Sequence, residues 1–584
     1  MGLSWTAKLK RGFEEIRQSE NQLTLVLSLL IGALVGLVVV AFILLTGRLA
    51  ARMYPAGGSG WRRVIVPTLG SLFTGYLLSR YFPFARGSGI PQTKYALFIN
   101  DGRISFRTVV GKFVCCVTAL ASGISLGREG PSVQVGAGIA SVIASRLGLS
   151  SERVKSLVPV GCAAALAAAF NTPIAAVLFS LEEIIGDLHA TVLGSVVLAS
   201  ATSWMVLHLV LGDDPLFHVP AYHLVHPAEF GVYAVLGVVG GLGSVAFVKL
   251  LLALRARFMR MPKRTQWLQP VAGGLLVGIL GYFVPEVMGV GYNYVERVLN
   301  GDVLLTFVVL LVVLKIIATA VCYGSGNAGG IFGPALFIGA MIGASVGSVA
   351  HTLLPAYTAG PGAYALIGMG AAFAGIIRTP LTSVIMIFEL TRDYTIIVPV
   401  MIANLISFFI SYKLQEEPIY EALARQDGVH LPSAEARSQA GKVQVVEAMH
   451  TNPEPFSPET PVETALERLA GGGWDAWPVA DSLGLLGMVR DVQLELAAAD
   501  GAGHGSIADV FTGVSTDGAV DRLPHVHPDH SLGIALERMG AAGIRTLPVV
   551  SRANVRELIG VVTLDDVLNA YGVHEPSAAR EGSD

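Results

Sequence analysis

The sequence predicts an α-helical multi-pass membrane protein, built from two inverted-topology repeats with broken helices and followed by a soluble α+β tail. Hydrophobic residues make up 53% of the 584 residues and charged residues only 14%, against about 25% charged in a typical soluble domain. The apolar part and the polar tail also each contain an internal repeat. The net charge of -3 gives no reason to expect a nucleic-acid partner.

The apolar part begins with a segment at 23–46, which follows a basic N-terminal segment at 1–22. This apolar run is too long for a signal peptide and lacks a small-residue cleavage site, so we expect it to remain as a span. A window of about 19 residues finds further apolar segments along the chain. They lie at 64–79, 108–126, 157–181, 190–211, 229–254, 268–289, 303–322, 330–354, 364–390 and 395–412.

Several of these segments are interrupted by Gly and Pro and contain charges that a lipid-facing helix would avoid. The clearest breaks are Gly-Arg-Glu-Gly-Pro at 127–131 and Gly-Ile-Phe-Gly-Pro at 330–334. Broken helices with polar residues at membrane depth occur where they are buried in protein or line a cavity. The breaks therefore indicate a transport pathway.

The membrane part repeats itself. The run at 161–173 corresponds to the run at 368–380, and in the same register Glu182 corresponds to Glu389. This correspondence predicts two repeats, at about 23–215 and 229–413, within a membrane domain at 23–425.

Charge predicts that the two repeats have opposite orientations. The first long helix follows the basic N-terminus, whereas its counterpart at 229–254 precedes a second basic cluster, formed by Arg255, Arg257, Arg260, Lys263 and Arg264. If both clusters are cytoplasmic, the repeats are inverted. Inverted repeats whose broken helices meet near the midplane are a transporter architecture.

The tail also repeats, and its two copies resemble CBS modules. Each copy predicts helix, strand, turn, strand and helix, with strands at 477–479 and 485–489 in the first copy and 547–550 and 558–562 in the second. We expect modules at 442–499 and 506–573, a linker at 426–441 and a flexible C-terminal tail at 574–584.

The cysteines form neither a disulfide framework nor a metal site. Cys115 and Cys116 adjoin, and Cys162 and Cys322 lie singly in apolar runs. We expect all four to be buried as small apolar residues, and we expect no metal.

Three loops contain candidate anion-binding groups. In Gly-Ser-Gly-Ile-Pro at 87–91 the Ser88 hydroxyl can donate a hydrogen bond, although such a loop can also be a simple turn. At 127–131 and 330–334 a proline lies in the first turn of a helix, so free N–H groups, including those of Ile331 and Phe332, face an anion at the positive end of the helix dipole.

Two roles are open for Glu129: it caps its own helix, or it mimics the anion and leaves the site when protonated. Tyr420 follows the last span, where it is either a belt tyrosine at the membrane interface or a hydroxyl donor. Glu182 and Glu183 follow an apolar run and point about 100° apart on a helix, so one acid can be structural while the other relays protons.

Together, the elements at 87–91, 127–131, 182–183, 330–334 and Tyr420 resemble the CLC family of chloride channels and chloride/proton antiporters. The resemblance covers roughly 25–425, and CBS pairs are a common C-terminal extension in that family. It implies a homodimer with one pathway per subunit. It also implies an integral protein of the plasma membrane, or of the inner membrane if bacterial, with the N-terminus and the CBS pair in the cytoplasm.

The resemblance also implies roles for individual residues. Ser88 and Tyr420 donate hydroxyl hydrogen bonds to a central chloride, helped by the amides of Ile331 and Phe332. Glu129 is the gating glutamate, which takes its proton from outside, and Glu183 is the internal proton-transfer glutamate. Family channels commonly lack an acid at the latter position, so Glu183 favours an antiporter that exchanges chloride for protons across the bilayer.

Two other functions compete with this one. One is a passive chloride channel gated by voltage or pH; the other is a membrane scaffold in which the CBS pair senses nucleotides. The second module keeps a Thr-x-x-Asp pattern at Thr563 and Asp566, which binds adenine nucleotides in some CBS modules, whereas the first has Arg490 and Gln493 there. We expect no other cofactor. Because no hydrolase motif is present, we expect no enzyme activity.

Overall fold

The computed structural model describes residues 20–570, apart from 56, 189–190, 214, 221, 223, 303, 430, 432–442, 473, 500–504 and 511–522. The predicted segments 1–22 and 574–584 and the linker at 426–441 thus lie largely outside the described residues. The chain forms two compact units, Met1–Leu431 and Pro432–Asp584.

Within the described residues, the first half of the membrane unit contains eight α-helices. They are α1 (Glu20–Met53), α2 (Arg62–Arg80), α3 (Ile90–Phe98), α4 (Phe106–Ala121), α5 (Glu129–Arg146), α6 (Ser151–Phe170), α7 (Pro173–Phe179) and α8 (Leu193–Leu211). A π-helical turn, Ser180–Ile185, extends α7 and contains both Glu182 and Glu183.

The second half repeats the same order of helices. They are α9 (Glu229–Met259), α10 (Gln269–Phe283), α11 (Tyr292–Leu299), α12 (Leu305–Gly324), α13 (Phe332–Leu353), α14 (Pro361–Ile377), α15 (Pro380–Thr391) and α16 (Ile397–Leu414). A short helix, α17 (Ile419–Gln426), follows and contains Tyr420. Within the described residues, seven helices are long and apolar enough to cross a membrane. The predicted multi-pass fold with two inverted repeats is confirmed.

Glycine pairs let equivalent helices approach closely in both repeats. A Cβ on Gly136 of α5 would overlap the carbonyl of Gly161 on α6, and a Cβ on Gly339 of α13 would overlap the carbonyl of Gly368 on α14. Small residues at such contacts are typical of membrane helices, where backbones pack directly. These two helix pairs position the helix N-termini of the site.

The second unit has the predicted α+β CBS architecture. The first module contains α18 (Val445–Ala448), β1 (His450–Thr451), α19 (Val462–Gly472), β2 (Ala476–Asp481), β3 (Gly484–Arg490) and α20 (Asp491–Ala497). The second contains α21 (Ile507–Val510), α22 (Leu532–Ala542), β4 (Thr546–Val550), β5 (Leu558–Thr563) and α23 (Leu564–Ala570).

The two sheets of this unit are antiparallel. β2 pairs with β3, with Trp477 opposite Val489, while β5 pairs with β4 on one side and with β1 on the other. Because β1 comes from the first module, the three-stranded sheet contains strands of both. All four predicted strands are present, each extended by one to three residues.

Candidate functional site

Two helix N-termini meet at the centre of the membrane unit. The backbone of Gly127 pairs with that of Gly330 in an antiparallel bridge, with both N–H···O distances 2.7 Å. Two residues after each glycine a helix begins, α5 at Glu129 and α13 at Phe332. The positive ends of two helix dipoles therefore lie side by side, which favours an anion.

The loop at 87–91 packs against this junction. Gly87 and Gly89 have φ of 78° and 102°, values that favour glycine. A Cβ on Gly89 would also lie 2.9 Å from the carbonyl oxygen of Gly130, in the first turn of α5. Ser88 is fully buried between these glycines, and its hydroxyl has no hydrogen-bond partner among the described residues.

Lys112 holds the loop at 87–91 in place through hydrogen bonds to its backbone. Its Nζ donates to the carbonyl oxygens of Ala85 at 3.1 Å and Gly87 at 2.6 Å. In the second repeat Lys315 makes the equivalent pair of bonds, to Val287 at 3.0 Å and Gly289 at 2.7 Å. These two buried lysines are thus structural supports of the repeats.

Tyr420 lies in the core and not in an interfacial belt. Its side chain is fully buried, and its ring centroid lies 6.2 Å from that of Phe332. Phe332 in turn packs on Phe179 and Phe373, with centroids 5.1 and 5.2 Å away. The Tyr420 hydroxyl, like that of Ser88, has no partner among the described residues.

Buried hydroxyl groups are nearly always hydrogen-bonded, because an unsatisfied buried donor costs about 1–3 kcal/mol. Two such groups, both next to helix N-termini, fit an acceptor that carries negative charge. The amides of Ile331 and Phe332 belong to the same helix start, at the N-cap and first position of α13.

Glu129 does not cap its own helix. Its Oε1 accepts a 2.5 Å hydrogen bond from the hydroxyl of Tyr292, and its Oε2 has no partner among the described residues. The Arg128 Nε is 4.0 Å from Oε1. A Cβ on Gly333 would be 3.4 Å from Oε2, which places the carboxylate beside the start of the opposite helix, α13. The carboxylate therefore occupies an anion-favouring position.

Glu182 and Glu389 cap each other's helices across the repeat. Glu182 accepts from the N–H of Thr382 at 2.8 Å and from its hydroxyl at 2.7 Å, at the start of α15. Glu389 accepts from Ile174 at 2.9 Å and Ala175 at 2.7 Å, at the start of α7. Of the adjacent acids, Glu182 is therefore the structural one.

Glu183 is buried and forms an ion pair. The Nζ of Lys94, on α3, donates to Glu183 at 2.8 Å and also to Glu421 in the first turn of α17. The sequence analysis did not identify Lys94, Glu421 or Tyr292. Lys94 alone gave a signal, as a cation in an otherwise uncharged helix; the partners of all three are far away in the chain.

A cavity of about 520 Å³ borders the loop that contains Ser88. Its lining includes Arg86, Gly87, Arg255 and Tyr323. The Tyr323 hydroxyl accepts a 3.3 Å hydrogen bond from the backbone N–H of Ser88. The cavity therefore reaches the loop that contains Ser88 from a side lined by two arginines.

The two residues of the Thr-x-x-Asp pattern in the second CBS module, Thr563 and Asp566, bond to each other. Asp566 accepts from the hydroxyl of Thr563 at 2.6 Å and from its N–H at 2.9 Å, which caps α23. Gln493 makes the analogous cap in the first module, where its Oε1 accepts from the N–H of Arg490 at 3.1 Å. In both modules these positions stabilise a helix start.

Comparison with known proteins gives matches to both units. The profile of the family described as voltage-gated chloride channel matches residues 70–412, and the CBS domain profile matches 444–494 and 519–572.

Curated relatives match the membrane unit. A Ralstonia nicotianae protein named chloride channel protein ClcB-like is 34% identical over 381 residues, which are 64% of this chain and 89% of the relative. The H(+)/Cl(-) exchange transporter ClcA of Vibrio campbellii is 32% identical over 370 residues, 62% of this chain and 79% of the relative.

Solved structures show the same fold. A slow cyanobacterial Cl-/H+ antiporter has a TM-score of 0.65 at 25% identity, covering 69% of this chain and 97% of its own. A eukaryotic CLC transporter has a TM-score of 0.64 at 21% identity, covering 93% of this chain and 97% of its own.

Proposed function

This chain belongs to the voltage-gated chloride channel family, and we propose that it exchanges chloride for protons across the membrane, as a secondary active transporter. The observation on which the proposal chiefly depends is the pair of buried hydroxyls of Ser88 and Tyr420, which have no acceptor among the described residues and lie beside two converging helix N-termini. Family membership makes the chain a transport protein, not a typical enzyme.

Chloride fits this group of donors. It would accept from the hydroxyls of Ser88 and Tyr420 and from the amides of Ile331 and Phe332. These donors are neutral, so they stabilise the ion without the strong attraction of a lysine or arginine. A pathway needs this balance, because an ion that binds too tightly does not leave.

Glu129 is the group that couples the two ions. Ionised, its carboxylate lies at the start of α13 and competes with chloride for the same positive dipole. Protonated, it loses the charge that holds it there and can leave, taking the proton with it. One side chain thus alternates between blocking the chloride path and moving a proton.

Glu183 is the internal proton-transfer group. It is buried and lies in a π-helical turn. Among the described residues it forms no hydrogen bond or ion pair with the aromatic side chains packed around Phe332, namely Phe179, Phe373 and Tyr420. Its presence favours exchange over the alternative of a passive chloride channel, and a relative is named as an H(+)/Cl(-) exchange transporter. A nucleotide-sensing scaffold would not need these ion-binding groups.

We propose a homodimer with the N-terminus and the CBS pair in the cytoplasm, in the plasma membrane, or in the inner membrane if the source is bacterial. Adenine nucleotide remains our proposal for the CBS pair at Thr563 and Asp566. One site per chain is then expected, since the first module has Arg490 and Gln493 at the equivalent positions.

The test is purified protein in liposomes, with chloride efflux and proton uptake recorded together. An imposed chloride gradient should drive protons uphill; chloride movement without protons would identify a channel, and movement of neither would identify a scaffold. Tyr420→Phe should weaken chloride binding about ten- to a hundredfold, since a hydrogen bond to a charged partner contributes roughly 1.5–3 kcal/mol. Tyr412→Phe, at an exposed position, is the matched control and should leave chloride affinity unchanged.

A further inference from the structure

Three charged groups form a buried cluster that the proposed exchange cycle uses only in part. The side chains of Lys94 and Glu183 are 2% and 7% exposed, and that of Glu421 is 20% exposed. One ammonium group contacts both carboxylates, so the two contacted oxygens lie less than two hydrogen-bond lengths apart, about 4–5 Å at the tetrahedral angle of an ammonium.

The charges of this cluster do not balance when all three groups are ionised. One cation and two carboxylates leave a net negative charge away from water, which is unfavourable. A single bound proton makes the cluster neutral. Two acids that contact one cation therefore share an exchangeable proton and titrate as a pair.

Lys94 alone would work against proton relay. A lone ammonium beside Glu183 favours the ionised carboxylate, and an acid held ionised does not relay protons. The second carboxylate offsets this attraction. Burial disfavours the ionised carboxylate, and Glu421 adds to this effect, so that Glu183 can hold a proton despite its contact with Lys94.

The other charged and titratable groups around the pair are Glu182, Arg378 and Tyr420. Glu182 accepts a hydrogen bond at the start of α15, and Arg378 donates one to the carbonyl oxygen of Ser411 at 3.0 Å. Arg378 attracts Glu421 electrostatically, but of the described cations it is Lys94 that contacts both acids. Glu421 is also the more exposed acid of the pair, so water reaches it first.

We propose that Glu421 is a second internal proton-transfer residue, which receives a proton from water and shares it with Glu183 across Lys94. The proton moves from a hydronium ion to the Glu421 carboxylate, and then directly or through one bridging water to the Glu183 carboxylate. Water and ionised Glu421 are left behind, and no other bond changes. This role depends on the proposed exchange function.

The first test does not require transport. Infrared spectra of the full-length protein, recorded over a pH titration, report the C=O stretch of protonated carboxyl groups. Glu183→Gln and Glu421→Gln should each remove the same protonated band, because either change leaves a neutral Lys–carboxylate pair. A band that persists in Glu421→Gln and disappears in Glu183→Gln would overturn the shared proton.

The second test is coupled flux in liposomes. Glu421→Gln should lower proton flux at least tenfold while chloride flux stays near the wild-type value, and Glu421→Asp should retain part of the proton flux. Glu417→Gln is the control, since Glu417 instead pairs with Arg425 at 2.8 Å. Wild-type proton flux in Glu421→Gln would overturn the proposed role.

The two proposals can fail separately. If the wild-type protein moves no protons, the exchange function and the transfer role of Glu421 are both wrong, and the infrared band still decides whether the acids share a proton. Chloride binding measured by calorimetry verifies that Glu421→Gln is folded. If it is not folded, Glu421→Asp decides: proton flux at the full wild-type rate, despite the shorter side chain, would contradict the proposal.

Discussion

At the scale of single residues, the charged groups of the site are stabilised by neighbouring protein groups and not by solvent. Glu129 is fully buried and ionisable, and its nearest donors are the Tyr292 hydroxyl and the start of α13. We expect a group so placed to be held only while it is charged, so its protonation state should decide its position.

Glu129→Gln should abolish proton coupling while chloride still permeates. A neutral amide neither carries a proton nor competes as an anion for the helix dipole, so the path stays open to chloride. The measurement is proton uptake in vesicles under an imposed chloride gradient. Uphill proton movement in this variant would show that another group couples the ions.

The sequence could identify the residues of the site that stand in motifs, but not their distant partners. Ser88, Glu129 and Tyr420 lie next to glycines, prolines or the end of a span, so local pattern indicates them. Tyr292 and Glu421 have no such context; their importance comes from contacts with Glu129 and Lys94 across the fold. A single sequence does not show which distant residues come into contact in the fold.

At the scale of helices, the breaks between helices determine where the helices of the membrane unit begin and end. The window that predicted spans at 157–181 and 364–390 joined two helices in each case, because it averages hydropathy across the break. In the structure Asn171 and Arg378 adopt left-handed φ of 61° and 68°, and a proline starts the next helix.

Helix α5 lies outside the predicted apolar segments for a different reason. It contains Glu129, Ser132, Gln134 and Ser141, all buried within the protein. Hydropathy predicts burial in lipid, and these side chains are instead covered by other helices.

Glu182→Ala should destabilise the fold without uncoupling the ions. It removes hydrogen bonds to the start of α15, and loss of a helix cap costs about 0.5–2 kcal/mol. The melting temperature in detergent should fall, and Glu389→Ala, which removes the reciprocal cap on α7, should lower it similarly. An unchanged melting temperature with lost proton coupling would instead assign Glu182 to the proton route.

The second CBS module should lose stability in acid because of His530. Its Nδ1 accepts a 3.2 Å hydrogen bond from the His527 N–H, and burial, together with the charge of Arg538, lowers its pKa below the usual 6.5. The folded state thus binds this proton more weakly than the unfolded state, so the stability present above pH 6.5 is lost as pH falls through the folded pKa.

Hydrogen exchange of the full-length protein measures this effect locally. Protection of Thr546–Val550, corrected for the intrinsic pH dependence, should fall in acid more than that of Ala476–Asp481. His530→Asn keeps an acceptor but does not titrate, so it should flatten the difference. Equal acid sensitivity of both strands would contradict the assignment.

At the scale of the whole molecule, the residues proposed for exchange are confined to one unit. Every one of them, from Ser88 to Glu421, lies within Met1–Leu431, and each unit has its own hydrophobic core. The cyanobacterial Cl-/H+ antiporter is matched over 97% of its own length by only 69% of this chain. An antiporter of this fold therefore does not need a counterpart of every part of this chain.

A chain that ends at Leu431 should still exchange chloride for protons in liposomes, with the same ratio of the two fluxes as the full-length protein. The reason is that the hydroxyls proposed to bind the anion, the proposed gating carboxylate and the proposed internal acids keep all their described partners when Pro432–Asp584 is removed. The ratio, and not the absolute rate, is the decisive quantity, because truncation can change the amount of active protein. Full-length Glu129→Gln provides the uncoupled reference. If the truncated protein is monodisperse and binds chloride but shows the ratio of that reference, the second unit is part of the coupling mechanism and not an appended regulatory domain.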